Sequence, residues 1–209
     1  MINKYLIFAL TTMLVLTGSK ANSQKFYGGL QAGINGSQIN GDHMSGFDKG
    51  GLLAGVFIDY PYSQRVFFTM ELNYTEKGSK SKDGTMQTAG SWTLAKISYL
   101  EVPLFINYKL SEKIDLNIGL SYGIKVGHKY FDSLDNEEPN IDRFRSSDFG
   151  ICGGGNYKLG NKFKLSLRAG ASLITIGKGK SNPFWAKRNS GFINIVISAG
   201  IKYYFLSPK

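Results

Sequence analysis

The sequence predicts an all-β chain, an eight-stranded antiparallel up-and-down transmembrane β-barrel, and three observations predict it. From residue 25 onward, apolar and polar residues alternate with period two, the mark of a strand with two unlike faces. The alternating segments run about 10–14 residues, where soluble strands average roughly 5–6 and a tilted membrane-crossing strand needs ~9–11. Short and long connections alternate strictly along the chain. In an even-stranded barrel this puts every short turn on one rim and every long loop on the other.

The first element is an address. Lys4 gives a positive start, Tyr5 to Leu16 is mostly apolar, and small residues follow at Ser19-Lys20-Ala21 and Ala21-Asn22-Ser23. Residues 1–23 therefore read as a signal peptide for export, cleaved after Ser23 in preference to Ala21. The barrel domain is expected over 24–209, with its location in the outer membrane. No Cys lies near either cleavage site, which argues against a lipid anchor.

The strands follow in order. Phe26, Leu30, Ala32 and Ile34 oppose Tyr27, Gly29, Gln31, Gly33 and Asn35, and Leu52, Ala54, Val56, Ile58 and Tyr60 oppose a row ending in Asp59. Val66, Phe68, Met70, Leu72 and Tyr74 oppose Phe67, Thr69, Glu71, Asn73 and Thr75. Leu100 to Tyr108 alternates against Glu101 to Lys109, and Ile114 to Val126 against Asp115 to Gly127. Phe149 to Lys158 is rich in glycine and is counted as the return strand, with Gly153-Gly154-Gly155 expected to form a bulge or a tight bend. Leu165 to Leu173 alternates against Lys164 to Ser172. The last strand places Ile193, Ile195, Ile197, Ala199, Ile201, Tyr203 and Phe205 on one face and Asn194, Val196, Ser198, Gly200, Lys202 and Tyr204 on the other.

The short links lie at Pro61–Gln64, Ser111–Lys113 and Gly160–Lys162; the long ones span Asn40–Asp48, Gly78–Ser91, Lys129–Ser147 and Gly177–Ser190. Aromatic belts are expected at both rims. Tyr60, Tyr62, Tyr108, Tyr157, Phe163, Tyr203 and Phe205 would form one, and Tyr74, Trp92, Tyr130, Phe131, Phe149 and Phe192 the other.

Which face meets lipid follows from side-chain size. The polar face is built from Gly, Ser and Asn with a few mid-strand charges, and the chain holds 26 glycines. A solvated exterior would carry dense Lys and Glu, whereas a narrow lumen needs small residues and paired charges. The alternative is a secreted lipocalin-like barrel with its apolar face turned inward around a ligand. Glu71, Glu101, Arg168 and Lys202 are the candidate interior charge cluster, with both glutamates expected to pair with Arg168, Lys202 or both. A salt-bridged plug is the favoured reading, because an eight-stranded interior is just wide enough for side chains to fill. A narrow porin-like channel for small solutes or ions is the second.

Composition excludes several classes. A single cysteine, Cys152, rules out a disulfide scaffold, and no HExxH or P-loop is present. The two histidines, His43 and His128, lack metal or catalytic spacing. No enzymatic activity and no cofactor is expected. The formal net charge of +10 would suit nucleic acid in a cytosolic protein, but export argues against that partner. Lys178, Lys180, Trp185, Lys187 and Arg188 give the last long loop a basic, aromatic character suited to the phosphates of lipopolysaccharide. The acidic third long loop (Asp132, Asp135, Glu137, Glu138, Asp142) does not match the spacing of an EF-hand.

Tyr99-Leu100-Glu101-Val102-Pro103-Leu104, with Phe105-Ile106-Asn107-Tyr108 after it, resembles the central strand motif of the PorT-like family of small outer-membrane β-barrels. Tyr27 to Asn35 is similar to that family's first strand. Ser198, Gly200, Tyr203 and Phe205 resemble the β-signal read by the barrel-insertion machinery, although Leu206 to Lys209 follow the last aromatic. The resemblance implies an eight-stranded barrel among outer-membrane lipid and lipopolysaccharide. Some relatives are linked to protein secretion, so a structural or interaction role with a secretion or envelope partner is the leading expectation.

Overall fold

The computed structural model describes residues 26–40, 46–80, 94–131, 136–137, 144–177 and 192–206. The signal segment and Lys178, Lys180, Trp185, Lys187 and Arg188 lie outside the described residues, as do His43 and Trp92.

Eight strands close into one barrel: β1 (Tyr27–Asn40), β2 (Lys49–Pro61), β3 (Val66–Lys80), β4 (Leu94–Lys109), β5 (Ile114–Phe131), β6 (Ser147–Lys158), β7 (Phe163–Ser172) and β8 (Ile193–Tyr204). Every neighbouring pair is antiparallel, and β1 closes on β8 from Gly29↔Tyr204 to Asn40↔Ile193. Closure is what hydrocarbon demands, because an open strand edge would leave a row of unsatisfied backbone groups.

The short turns share one design. Tyr62-Ser63-Gln64-Arg65-Val66, Leu110-Ser111-Glu112-Lys113-Ile114 and Leu159-Gly160-Asn161-Lys162-Phe163 each run apolar, small, polar, basic, apolar. Tyr62, Leu110 and Leu159 donate their backbone N–H to the carbonyls of Val66, Ile114 and Phe163. Ser63 Oγ accepts from the N–H groups of Arg65 and Val66, and Ser111 Oγ from those of Lys113 and Ile114.

The outward face is the apolar one. Ile118 and Leu167 are each 60% exposed in the isolated chain, and Leu104, Ile106, Leu116, Leu120 and Ile124 extend the same wall. The lumen face buries Gln31, Asn35, Glu71, Asn73, Asn107, Asn117, Ser166 and Lys202. A lipocalin-like arrangement, with the apolar face inward, is thereby overturned for the membrane-spanning part.

Three details depart from the sequence reading. First, β3, β4 and β5 run past their expected ends, to Lys80, back to Leu94 and on to Phe131. In the β4 and β5 extensions the pattern inverts, with Ala95, Ile97, Tyr99 and Tyr130 inward and buried and Lys96 and Lys129 exposed, whereas the β3 extension keeps polar Lys77 and Ser79 inward. Tyr130 therefore belongs to the interior rather than to a belt, and Phe192 packs against the same interior cluster. Second, β6 pairs with β5 and β7 without a register shift, so the glycine run is not a bulge. Gly154 instead lies so close to β7 that a Cβ would overlap the Leu167 carbonyl. Third, the irregularity lies between β4 and β5, where Ser98 pairs with Gly127 and Tyr99 with Lys125, leaving Val126 as the extra residue of a bulge.

Candidate functional site: the charged lumen and its hydrophobic cap

The lumen is filled in layers, each fixed by which inward positions the strand register brings level. Nearest the short turns, Asp59 accepts from Tyr204 Oη (2.8 Å) and Thr69 Oγ1 (2.6 Å). Asn107 Nδ2 donates in turn to Thr69 Oγ1 (2.9 Å) and the Phe67 carbonyl (3.2 Å). Lys164 pairs with Asp115 beside the Phe67 and Tyr204 rings.

Above this lies Glu71, 1% exposed. Its Oε1 accepts from Arg168 Nη2 (2.8 Å) and Lys202 Nζ (2.7 Å). Its Oε2 accepts from Arg168 Nη1 (2.9 Å), Gln31 Nε2 (2.7 Å) and Asn73 Nδ2 (3.0 Å). Two parallel bonds from one guanidinium give the geometry that makes Arg–carboxylate pairs strong. Arg168 also covers the Phe105 ring and Lys202 the Phe57 ring, so aromatic faces share in holding both cations. Glu71 lies on β3, with Arg168 and Lys202 on β7 and β8, so the network crosses the lumen.

Glu101 does not join it. Although Glu101 is level with Asn73 on β3, its carboxylate pairs with Lys77 (3.0 Å), which also reaches Asp148 (3.3 Å). Asn194 Nδ2 donates to the same Asp148 oxygen (2.9 Å). The expected four-residue cluster is thus two networks: Glu71 with Arg168 and Lys202, and Lys77 with Glu101 and Asp148. Lys77 and Asp148 escaped the sequence reading because both lie beyond the last apolar outward residue of the strand segments recognised there. A cavity of about 80 Å³ is walled by residues of both networks, with Gln31, Lys77, Asp148, Cys152, Arg168 and Asn194 among them. Cys152 faces it from the inward row, its thiol 3.8 Å from the Gly119 carbonyl.

The end towards the long loops is closed by apolar packing. Ile39, Ala95, Ile97, Tyr99, Tyr130, Phe144 and Ile176 form one buried apolar cluster, with Phe192 packed against it. Phe144 and Ile176 come from the stems of the third and fourth long loops and are tied across the mouth. Phe144 bridges to Gly177, Arg145 N donates to the Ile176 carbonyl (2.6 Å), and Lys125 Nζ donates to the Phe144 carbonyl (2.8 Å). Among the described residues no group of three metal-ligating side chains gathers.

Of the expected β-signal, Ser198 and Gly200 face the lumen, whereas Tyr203 and Phe205 lie in the aromatic belt, their rings 6.2 Å apart. Tyr203 also meets Phe163 at 5.2 Å.

The family profile described as "Outer membrane protein beta-barrel domain" matches residues 21–176. No curated protein sequence matches the chain. Among solved structures, Neisserial surface protein A (NspA) is similar, with a TM-score of 0.53 and 14% identity over 86% of this chain and 97% of that one. Ail, the attachment invasion locus protein of Yersinia pestis, is similar at a TM-score of 0.51 and 12% identity, over 87% and 99%. At these identities the likeness is one of fold.

Proposed function

Given that the chain belongs to the family of outer membrane protein beta-barrel domains, we propose that this outer-membrane barrel is a closed structural and interaction protein, displaying its long loops at the cell surface. One observation carries the reading: the lumen is crossed by the Glu71–Arg168–Lys202 network and capped by the Phe144–Ile176 cluster. A path for ions would have to break a buried ion network and a packed apolar plug in series. The test is single-channel recording on the folded chain in planar bilayers. Wild type is expected to be silent, and Arg168→Leu to lower stability while staying silent. Steady conductance in wild type, or a large conductance in Arg168→Leu, refutes closure.

Around this core the finer proposals rest on sequence. Export would use residues 1–23, and insertion would read Ser198, Gly200, Tyr203 and Phe205. Loop contact with lipopolysaccharide would use Lys178, Lys180, Trp185, Lys187 and Arg188. The PorT-like motif at Tyr99–Leu104 makes an envelope or secretion partner the one to seek, by co-purification of the native protein from membranes.

The cavity of about 80 Å³ favours a second reading, a narrow conduit, because it is large enough for several waters and walled by polar groups. Silence of wild type in planar bilayers would exclude it.

A further inference from the structure

We propose that the short-turn rim is a binding surface for the phosphates of anionic glycerophospholipids in the adjoining leaflet. Each of the three turns puts a cation at the same place, one residue before the next strand: Arg65, Lys113 and Lys162. Lys109 and Lys158 end β4 and β6 beside two of them. Against these five cations the turns hold one acid, Glu112. The two nearby carboxylates, Asp59 and Asp115, face the lumen and are engaged by Tyr204, Thr69 and Lys164. Among the described residues none of the five rim cations forms a salt bridge with a carboxylate; Arg65 Nη1 donates to Tyr108 Oη (3.2 Å), and Lys162 sits 6.0 Å from the Tyr203 ring centre.

Position identifies the ligand. Tyr108 and Tyr203 belong to the outward aromatic belt, which marks the level of lipid headgroups. The turns hold their cations against that belt, because a four-residue turn cannot lift them far from the strand ends. A headgroup phosphate lies at that height, within reach of Lys and Arg, and each cation near an anionic bilayer surface strengthens attraction roughly fivefold. An acidic soluble partner would gain nothing from having the charges level with the belt.

The inference adds a ligand at the rim opposite to the loops invoked above, and it is tested independently of them. The full chain is folded into vesicles of phosphatidylcholine with a quarter of phosphatidylglycerol, extracted, and its retained lipids are counted by native mass spectrometry. Wild type should retain phosphatidylglycerol at least threefold above its share. Arg65→Gln/Lys113→Gln/Lys158→Gln/Lys162→Gln should fold, as judged by heat-modifiable gel migration, and retain lipid near the bulk ratio. Lys80→Gln/Lys96→Gln/Lys129→Gln, at the opposite rim, should match wild type. No enrichment in wild type overturns the proposal, as does loss of enrichment in the opposite-rim variant alone. Displacement by millimolar inorganic phosphate would assign the site to free phosphate and also overturn it. Conductance of the barrel has no bearing on any of these readings.

Discussion

Glu71 is the residue whose loss the structure makes most costly. Glu71→Gln keeps the size of the side chain and removes its charge, leaving Arg168 and Lys202 in the lumen without their shared anion. The two cations contact the same oxygen, Oε1, at 2.8 and 2.7 Å. Their nitrogens are therefore at most about 5.5 Å apart, where an effective dielectric constant of about 20 gives a repulsion of roughly 3 kcal/mol. Breaking a buried ion network by removing one partner costs about 3–5 kcal/mol in general, which agrees. Arg168→Met or Lys202→Met should cost less, about 1–3 kcal/mol, because Glu71 keeps one cation.

The sharper test is the double variant. Glu71→Gln/Lys202→Met removes the second cation along with the anion and should recover about 2–3 kcal/mol of the loss in Glu71→Gln, the scale of coupling found between contacting groups. The assay is urea unfolding and refolding of the full chain in vesicles, followed by circular dichroism and gel mobility. A cost below about 1 kcal/mol for Glu71→Gln would mean that water already screens the site. A double variant less stable than Glu71→Gln would refute the electrostatic argument outright.

Other positions give independent checks by the same unfolding assay. Leu120→Arg, in the middle of the lipid-facing wall, should cost about 2–4 kcal/mol, and Leu110→Arg, in a short turn, about 0–1 kcal/mol; equal costs would mean that the wall does not face lipid. Phe144→Ala should cost about 3–5 kcal/mol, as expected for emptying a well-packed aromatic site, and a change under about 1 kcal/mol would show that the cap is not packed. Gly78 has φ +145, and a Cβ there would overlap the Ala95 carbonyl. Gly78→Ala should therefore lower stability by about 1–3 kcal/mol, and a neutral result would contradict the close β3–β4 approach at that point.

Much of the barrel was legible because period two is a local signal. Once Leu104 or Ile118 is assigned to the outer wall, the direction of its neighbours follows by alternation, until the bulge at Val126 reverses the count and turns Tyr130 inward. The partner of a lumen charge is not local. Glu71 meets Arg168 across the lumen, and that meeting depends on how strand tilt and stagger bring β3 level with β7 and β8. Glu101 lies in the same strand neighbourhood, yet its carboxylate turns to Lys77, a residue placed at the edge of a loop because the outward apolar row had ended at Tyr74. The glycine run of β6 reads from sequence as a bulge or a tight bend, and its actual role, a close approach to β7 at Gly154, is not legible because each of these draws on the same residue.

The inverted extension explains both the misplaced loop boundary and the closed mouth. In β4 the outward row reads Lys96, Ser98, Leu100, Val102, Leu104, while the inward row reads Ala95, Ile97, Tyr99, Glu101. Polarity changes sides near Ser98 and Tyr99, where the register also shifts against β5. Below that point the surroundings are hydrocarbon, so apolar groups face out and every enclosed charge needs a partner. Above it the surroundings are water, and the same strands obey the ordinary rule, with Lys96 and Lys129 outside and Ile97, Tyr99 and Tyr130 within. A rule with one fixed outer face must fail at that boundary. The failure marks where the membrane ends, and the apolar residues turned inward above it form the cap that closes the barrel.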